Sequence, residues 1–165
     1  RKALARAPRG LPAGTIVDVV EGDRFVARGY YDPTSAITVR VLTREAGEAI
    51  DAPFWRRRVA RAVQLRKELV RDTTGYRLVH GEADGLPGVI ADRYDHTAVL
   101  KLYSAGLTPW RGQIVEALVG GEAQAEADGF LDRIEGIDLV VDDPADGEVE
   151  AVGAEVDRGE SVIFH

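Results

Sequence analysis

Cysteine and methionine are both absent from this 165-residue chain, and lysine and histidine occur three times each. Without cysteine there is no disulfide, no thiolate-bound metal and no thiolate nucleophile. Three separated histidines, His80, His96 and His165, are a poor start for a zinc site, so no metal is expected. No apolar run approaches the roughly 18 residues that would span a bilayer. The start Arg1-Lys2-Ala3-Leu4-Ala5-Arg6 has no signal-peptide core. The expectation is a cytoplasmic protein with no membrane partner. A chain lacking methionine even at position 1 also reads as a segment of something longer.

What is present is ordinary in bulk and uneven in distribution. Hydrophobic content of 45% and charged content of 30% suit a soluble globular chain, and the length allows one domain or two small ones. The net charge of −7 conceals two opposite halves. Residues 1–80 hold 16 basic and 9 acidic side chains, a balance of +7, whereas residues 81–165 hold 5 and 19, a balance of −14. A split of this size suggests a nucleic-acid-facing half beside an acidic one. The plainer alternative is that the halves attract each other in the fold.

Residues 15–20, 24–31 and 36–43 are β-type runs separated by Glu21-Gly22-Asp23 and Asp32-Pro33-Thr34-Ser35, which predicts a small antiparallel sheet or barrel. Asp51 then reads as an N-cap with Pro53 in the first turn of a helix running to about Arg71. Strands are predicted at 76–80, 88–93 and 97–103, and a helix at 110–119 opened by Thr108-Pro109 and stopped by Gly120-Gly121. Residues 123–128 read as an acidic connector, and strand-like pieces recur at 137–141, 149–152 and 161–164. The order gives an α+β fold, an all-β unit followed by strands with a helix between them.

On a helical wheel the 51–71 segment is amphipathic, with Phe54, Trp55, Val59, Ala62, Val63, Leu65, Leu69 and Val70 on one side. The other side carries Arg56, Arg57, Arg61, Lys67 and Arg71. Closely spaced guanidiniums displace counterions from phosphate and bind it in a bidentate way, so Arg56, Arg57, Arg61 and Lys67, with Arg28 and Arg40 on the strands, are candidate RNA contacts. A merely solvated face is the competing reading. Tyr30 and Tyr31 are candidates to stack bases, while core packing is expected for Phe54 and Trp55. Arg58 and Arg66 fall inside the apolar arc and must snorkel or meet carboxylates. The nearest unassigned acids are Glu82, Asp84 and Asp92, which favours a structural ion-pair network over acid–base catalysis by Glu82 and Asp84.

Those acids belong to the most informative stretch, residues 76–94, Y-R-L-V-H-G-E-A-D-G-L-P-G-V-I-A-D-R-Y. Two β-type runs flank a reversal in which Pro87 supplies the fixed φ, and Gly88 the positive φ, of a type II turn, with Gly85 as a second permissive point. Arg77, Arg93 and Asp92 sit just outside the turn. This string resembles a signature of S-adenosylmethionine-dependent ribosomal RNA cytosine-C5 methyltransferases. Weaker agreement follows at Gly29-Tyr30-Tyr31-Asp32-Pro33-Thr34-Ser35-Ala36-Ile37, Val39-Arg40-Val41-Leu42, Ala62 and Arg66.

The resemblance covers roughly residues 14–103. It implies a PUA-like RNA-binding domain at 1–50, a linking basic helix at 51–72 and a central α+β domain at 73–165. Ribosomal RNA and the protein's own C-terminal methyltransferase domain are the implied partners, and a homodimer is compatible. Arg58, Arg66, Arg77, Glu82, Asp84, Gly85, Pro87, Gly88, Asp92 and Arg93 would serve structure or domain docking. S-adenosylmethionine is implied for the full-length protein. For this chain no cofactor or catalytic residue is expected, because no strand leads through a glycine-rich loop into a helix and the cysteine that would add to the cytosine ring is missing. The alternative is a self-contained RNA-binding or protein-interaction module without catalysis.

Overall fold

A computed structural model describes residues 10–95, 97–127, 137–142, 149–156 and 162–164, with side chains described for 10–95 and 97–121. Among these, β1 (Ile16–Glu21), β2 (Arg24–Tyr31) and β3 (Val39–Thr43) form a three-stranded antiparallel sheet in that order. Helix α1 (Ala52–Leu69) follows. A second sheet runs β4 (Gly75–His80), β5 (Val89–Tyr94), β6 (Thr97–Leu102), β7 (Ile137–Asp142), β8 (Val149–Val156) and β9 (Val162–Phe164). Helix α2 (Arg111–Ala127) crosses from β6 to β7. The architecture is α+β, as expected.

Helix α1 starts where the sequence places it. The Asp51 carboxylate accepts the Phe54 N–H at 2.9 Å and Pro53 lies in the first turn. The helix ends at Leu69, with Val70 extended as its C-cap. Phe54, Trp55, Val59, Ala62 and Val63 are buried against β4 to β6 and α2, in one cluster that also takes in Tyr30 and Leu42 from the first sheet. Burying each large side chain of this kind contributes about 1.5–3 kcal/mol.

Helix α2 corrects two expectations. Gly120-Gly121 does not stop it, and residues 123–127 are helical rather than a connector. At Gly121 a Cβ would sit 3.4 Å from Val59 Cγ1 and 3.5 Å from Val63 Cγ2, so this glycine marks the close approach of α2 to α1. A helical glycine costs roughly 1 kcal/mol, yet both glycines lie within α2. The helix is also opened differently: Ser104 accepts the Gly106 N–H and starts a 3₁₀ turn, Ala105–Trp110, that contains Pro109 and leads into Arg111. Strands β6 and β7 run parallel, the only parallel pair among the described strands, a connection that needs a crossover of this length. The acidic break expected at 142–147 falls mostly outside the described residues.

Candidate functional site

The reversal between β4 and β5 is the joint of the molecule. Residues Gly81–Asp84 form a 3₁₀ turn closed by Gly85 in the left-handed region, and the Val89 N–H then donates to Leu86 O at 3.0 Å across Pro87-Gly88. Gly88 has φ +81°, as position i+2 of a type II turn requires. Its Cβ would lie 2.8 Å from the Tyr30 hydroxyl and 3.2 Å from Leu107. That hydroxyl donates to Pro87 O at 2.9 Å, so the first sheet is seated directly on the turn. Burial pushes the Tyr30 phenol up to about 12.

The turn carboxylates are clamped. Asp84 receives both Arg66 guanidinium nitrogens at 2.8 Å and the His80 backbone N–H at 2.6 Å, while Arg66 Nε donates to Arg77 O. Only 11% of the Arg66 side chain and 5% of Asp84 reach solvent. Glu82 receives Arg40 of β3 at 2.8 Å, and Arg77 forks onto Asp92 at 2.8 and 3.0 Å. Arg93 is buried and donates to Asp95 O. Glu82 and Asp84 are therefore each engaged by an arginine rather than set as an acid–base couple.

Arg58 departs from the expected network. Its guanidinium meets none of the turn acids. It lies 3.9 Å from Glu48, donates to Leu42 O at 3.3 Å and stands 5.1 Å over the Phe54 ring. Glu48, which sequence reasoning missed, also takes Arg57 on its carboxylate at 3.1 Å and Arg28 on its backbone carbonyl at 2.7 Å. A hydrogen bond with Thr43 is the main reason its carboxyl lies below the usual range, with Arg57 and Arg58 adding to the effect. Nothing in the local pattern separates Glu48 from its neighbour Glu45.

A second missed group is Asp32. Burial alone would raise its carboxyl, but hydrogen bonds from the Ser104 hydroxyl, from Thr34 and from the Gly106 backbone hold it below the usual range. Tyr30 and Tyr31, expected to stack bases, are buried instead and do not reach solvent to do so.

The candidate RNA contacts divide in two. Arg28 and Arg40 are committed to Asp18 and Glu82. Arg56, Arg57 and Arg61 are exposed along one side of α1, and Lys67 is half-buried near its end. Arg57 reaches Glu48, but neither Arg56 nor Arg61 has a carboxylate partner among the described residues. Beside them Arg58, Arg61, Gln64, Glu82 and Gly85 help line a cleft of about 560 Å³ between α1 and the turn. The described residues hold no group of three or more potential metal ligands and no helix long and apolar enough to cross a membrane.

One strand-to-helix junction, β6 into α2, could be compared with a cofactor cradle, and it does not fit one. A Cβ at Gly106 would lie 2.5 Å from the Tyr30 ring and 2.8 Å from Tyr31 O. The space a nucleotide-like ligand would need there is filled by β2.

Residues 1–44 match the PUA-like domain family. Curated relatives include ribosomal RNA large subunit methyltransferase I of Shewanella denitrificans, 47% identical over 109 residues, covering 64% of this chain and 28% of that protein. The protein of the same name from Pseudoalteromonas atlantica is 44% identical over 123 residues, 73% of this chain and 30% of that one. The chain thus spans under a third of the length of these relatives. Among solved structures, a protein described as a SAM-dependent methyltransferase, from Streptococcus mutans, superposes with TM-score 0.65 at 14% identity over 93% of this chain and 42% of its own. A methyltransferase crystallised with SAH gives TM-score 0.66 at 15% identity over 94% of this chain and 43% of its own. At those identities the structures speak for the fold alone. Together these likenesses support an rRNA methyltransferase family, with a PUA-like unit at the start of this chain.

Proposed function

We propose that this chain is the RNA-engaging, substrate-positioning portion of an S-adenosylmethionine-dependent rRNA cytosine-C5 methyltransferase. In this reading a PUA-like unit at 1–50 and the basic helix at 51–72 hold ribosomal RNA. The α+β unit at 73–165 presents the clamped turn to a catalytic domain, which carries the cofactor loop and the nucleophilic cysteine. The ion pairs of Arg66, Arg77 and Arg40 give that docking surface one fixed shape. The observation that carries the RNA reading is the side of α1 on which Arg56, Arg57 and Arg61 stand exposed, two of them with no carboxylate among the described residues to satisfy them. Unneutralised guanidiniums spaced along one helix face match a phosphate backbone.

Changing Arg56, Arg57 and Arg61 together to Gln and titrating an rRNA fragment across a salt series tests this. Affinity should fall, and the log–log salt slope should shrink by about 0.7–0.9 for each phosphate no longer neutralised. Sequence preference should persist, because phosphate contacts position a protein without reading bases. A triple variant with parental affinity and slope would leave this face simply solvated.

A further inference from the structure

We propose that the cleft between α1 and the 81–85 turn, together with Leu65 and Leu69, is the seat for an apolar segment of the catalytic domain. This rests on the reading above that such a domain belongs to the full-length protein, and it adds where that domain is held and what chemistry holds it. The helical wheel puts Leu65 and Leu69 on the apolar side of α1, yet the fold covers neither: Leu65 is 42% exposed and Leu69 is 70% exposed. They are four residues apart, so they are neighbours on one face of the helix. A single exposed leucine needs no explanation, but two together beside a cleft form a patch of the kind that marks an interaction site.

The cleft beside them is shaped for insertion. Ala62 and Leu65 of α1 meet Ala83 and Gly85 of the turn along it, small or apolar residues that leave about 560 Å³ between the two walls. A side chain at Gly85 is doubly barred, because φ is +70° and a Cβ would lie 2.6 Å from Arg58 Nη1. The turn is also held in place, since Asp84 is fixed by two Arg66 nitrogens and the His80 N–H. Among the described residues that line the cleft, Arg58 and Arg61 stand against Glu68 and Glu82, while Asp84 is already answered by Arg66. With the signs balanced, the rim selects neither a polyanion nor a cation. An apolar floor ringed by polar groups is instead the anatomy of a protein contact, and an apolar helix face laid along Leu65 and Leu69 is one form that suits it. The choice of partner follows from length. This chain spans under a third of its rRNA methyltransferase relatives, so on the reading above the larger part of the protein has still to be seated. The PUA-like strands do not compete for the place, because Tyr30 and Leu42 already join them to the shared core.

The test compares the full-length protein with the 165-residue chain, each as parent, as Leu65→Gln/Leu69→Gln and as Leu65→Met/Leu69→Met. In the 165-residue chain both pairs should melt within about 2 °C of the parent, as exposed positions do. In the full-length protein, peptides covering residues 58–69 and 81–86 should exchange hydrogen more slowly than in the short chain. The Gln pair should abolish that protection and the Met pair should keep it. Methylation of rRNA by the Gln pair should fall about 10-fold or more, since a loosened domain misplaces the reacting groups, with affinity for S-adenosylmethionine unchanged. Equal exchange in the two lengths of chain, or a Gln pair that matches the full-length parent, would overturn the proposal. So would a Gln pair that unfolds the short chain, which would make the leucines part of its own core, or a leucine-dependent dimer of that chain on sedimentation, which would give the seat to a second copy. The two readings fail separately: a full-length protein with neither S-adenosylmethionine binding nor methylation refutes the catalytic domain itself, and one that has both but ignores the Gln pair refutes only its seat.

Discussion

Replacing Arg66 by Met should be among the most damaging single substitutions on α1. The wild-type side chain supplies two hydrogen bonds to Asp84, one to Arg77 O and one to Ala62 O. Methionine fills the same apolar arc but abandons a carboxylate that is 5% exposed and left with the His80 N–H. Breaking a buried pair from one side costs about 3–5 kcal/mol. At about 2–4 °C per kcal/mol for a chain of this size, the melting temperature should drop by about 6–20 °C. Arg57→Met is the control, because 58% of its side chain is exposed and its contact with Glu48, at the surface, is worth about 0–1 kcal/mol. Adding Asp84→Asn to Arg66→Met removes the stranded charge and keeps an acceptor for His80, so it should recover a good part of the stability. Thermal melts and urea denaturation of the four proteins decide the matter. Equal stabilities for the Arg66 and Arg57 variants, or no recovery in the double variant, would refute the claim that a buried ion pair holds the turn to the helix.

Gly120→Ala should raise stability by about 0.5–1 kcal/mol in urea titrations, since Gly120 lies inside α2 with nothing within 4 Å of a Cβ; a decrease would mean that the helix ends there after all. Tyr30→Phe should cost about 1 kcal/mol at pH 7, because the bond to Pro87 O disappears. The Tyr30 phenol, at about 12, lies above its unfolded value near 10, so its contribution is intact below pH 10 and is lost as the pH rises toward about 12. Urea midpoints measured from pH 9 to 12 should therefore fall less steeply for the Phe variant than for the parent.

Local chemistry is readable wherever one residue type has one use. Asp51 and Pro53 announce a helix start, Pro87-Gly88 a type II turn, and an arginine at position 66 inside an apolar arc demands a buried acid, which Asp84 supplies. Reading fails where the deciding partner is remote in sequence. Gly120-Gly121 carries the composition of a helix stop, yet the helix runs through both and lays Gly121 against Val59 and Val63 of another helix. Tyr30 and Tyr31 have the look of a stacking pair, yet Tyr30 is claimed by Pro87, 57 residues away. Proximity along the chain assigns Arg58 to the turn acids, but it is the carbonyl of Leu42 and the carboxylate of Glu48 that lie within its reach. The parallel pairing of β6 with β7 is likewise invisible, because a crossover helix leaves no mark on the strands it joins.

The seating of the first sheet on the Pro87-Gly88 turn bears on how this chain would measure a ligand. Tyr30, Asp32 and Arg40 reach respectively to Pro87, Ser104 and Glu82, Trp110 reaches back to Gly14 and Arg58 of the basic helix to Leu42, so the PUA-like strands, the helix and the larger sheet are joined by side-chain bonds as well as by a shared core. Groups mounted on such a frame keep a constant separation and sacrifice no linker entropy when both engage. On the proposed function the same frame would act as a calliper, accepting in full only a ligand whose contact points match the separation of the strands and the helix.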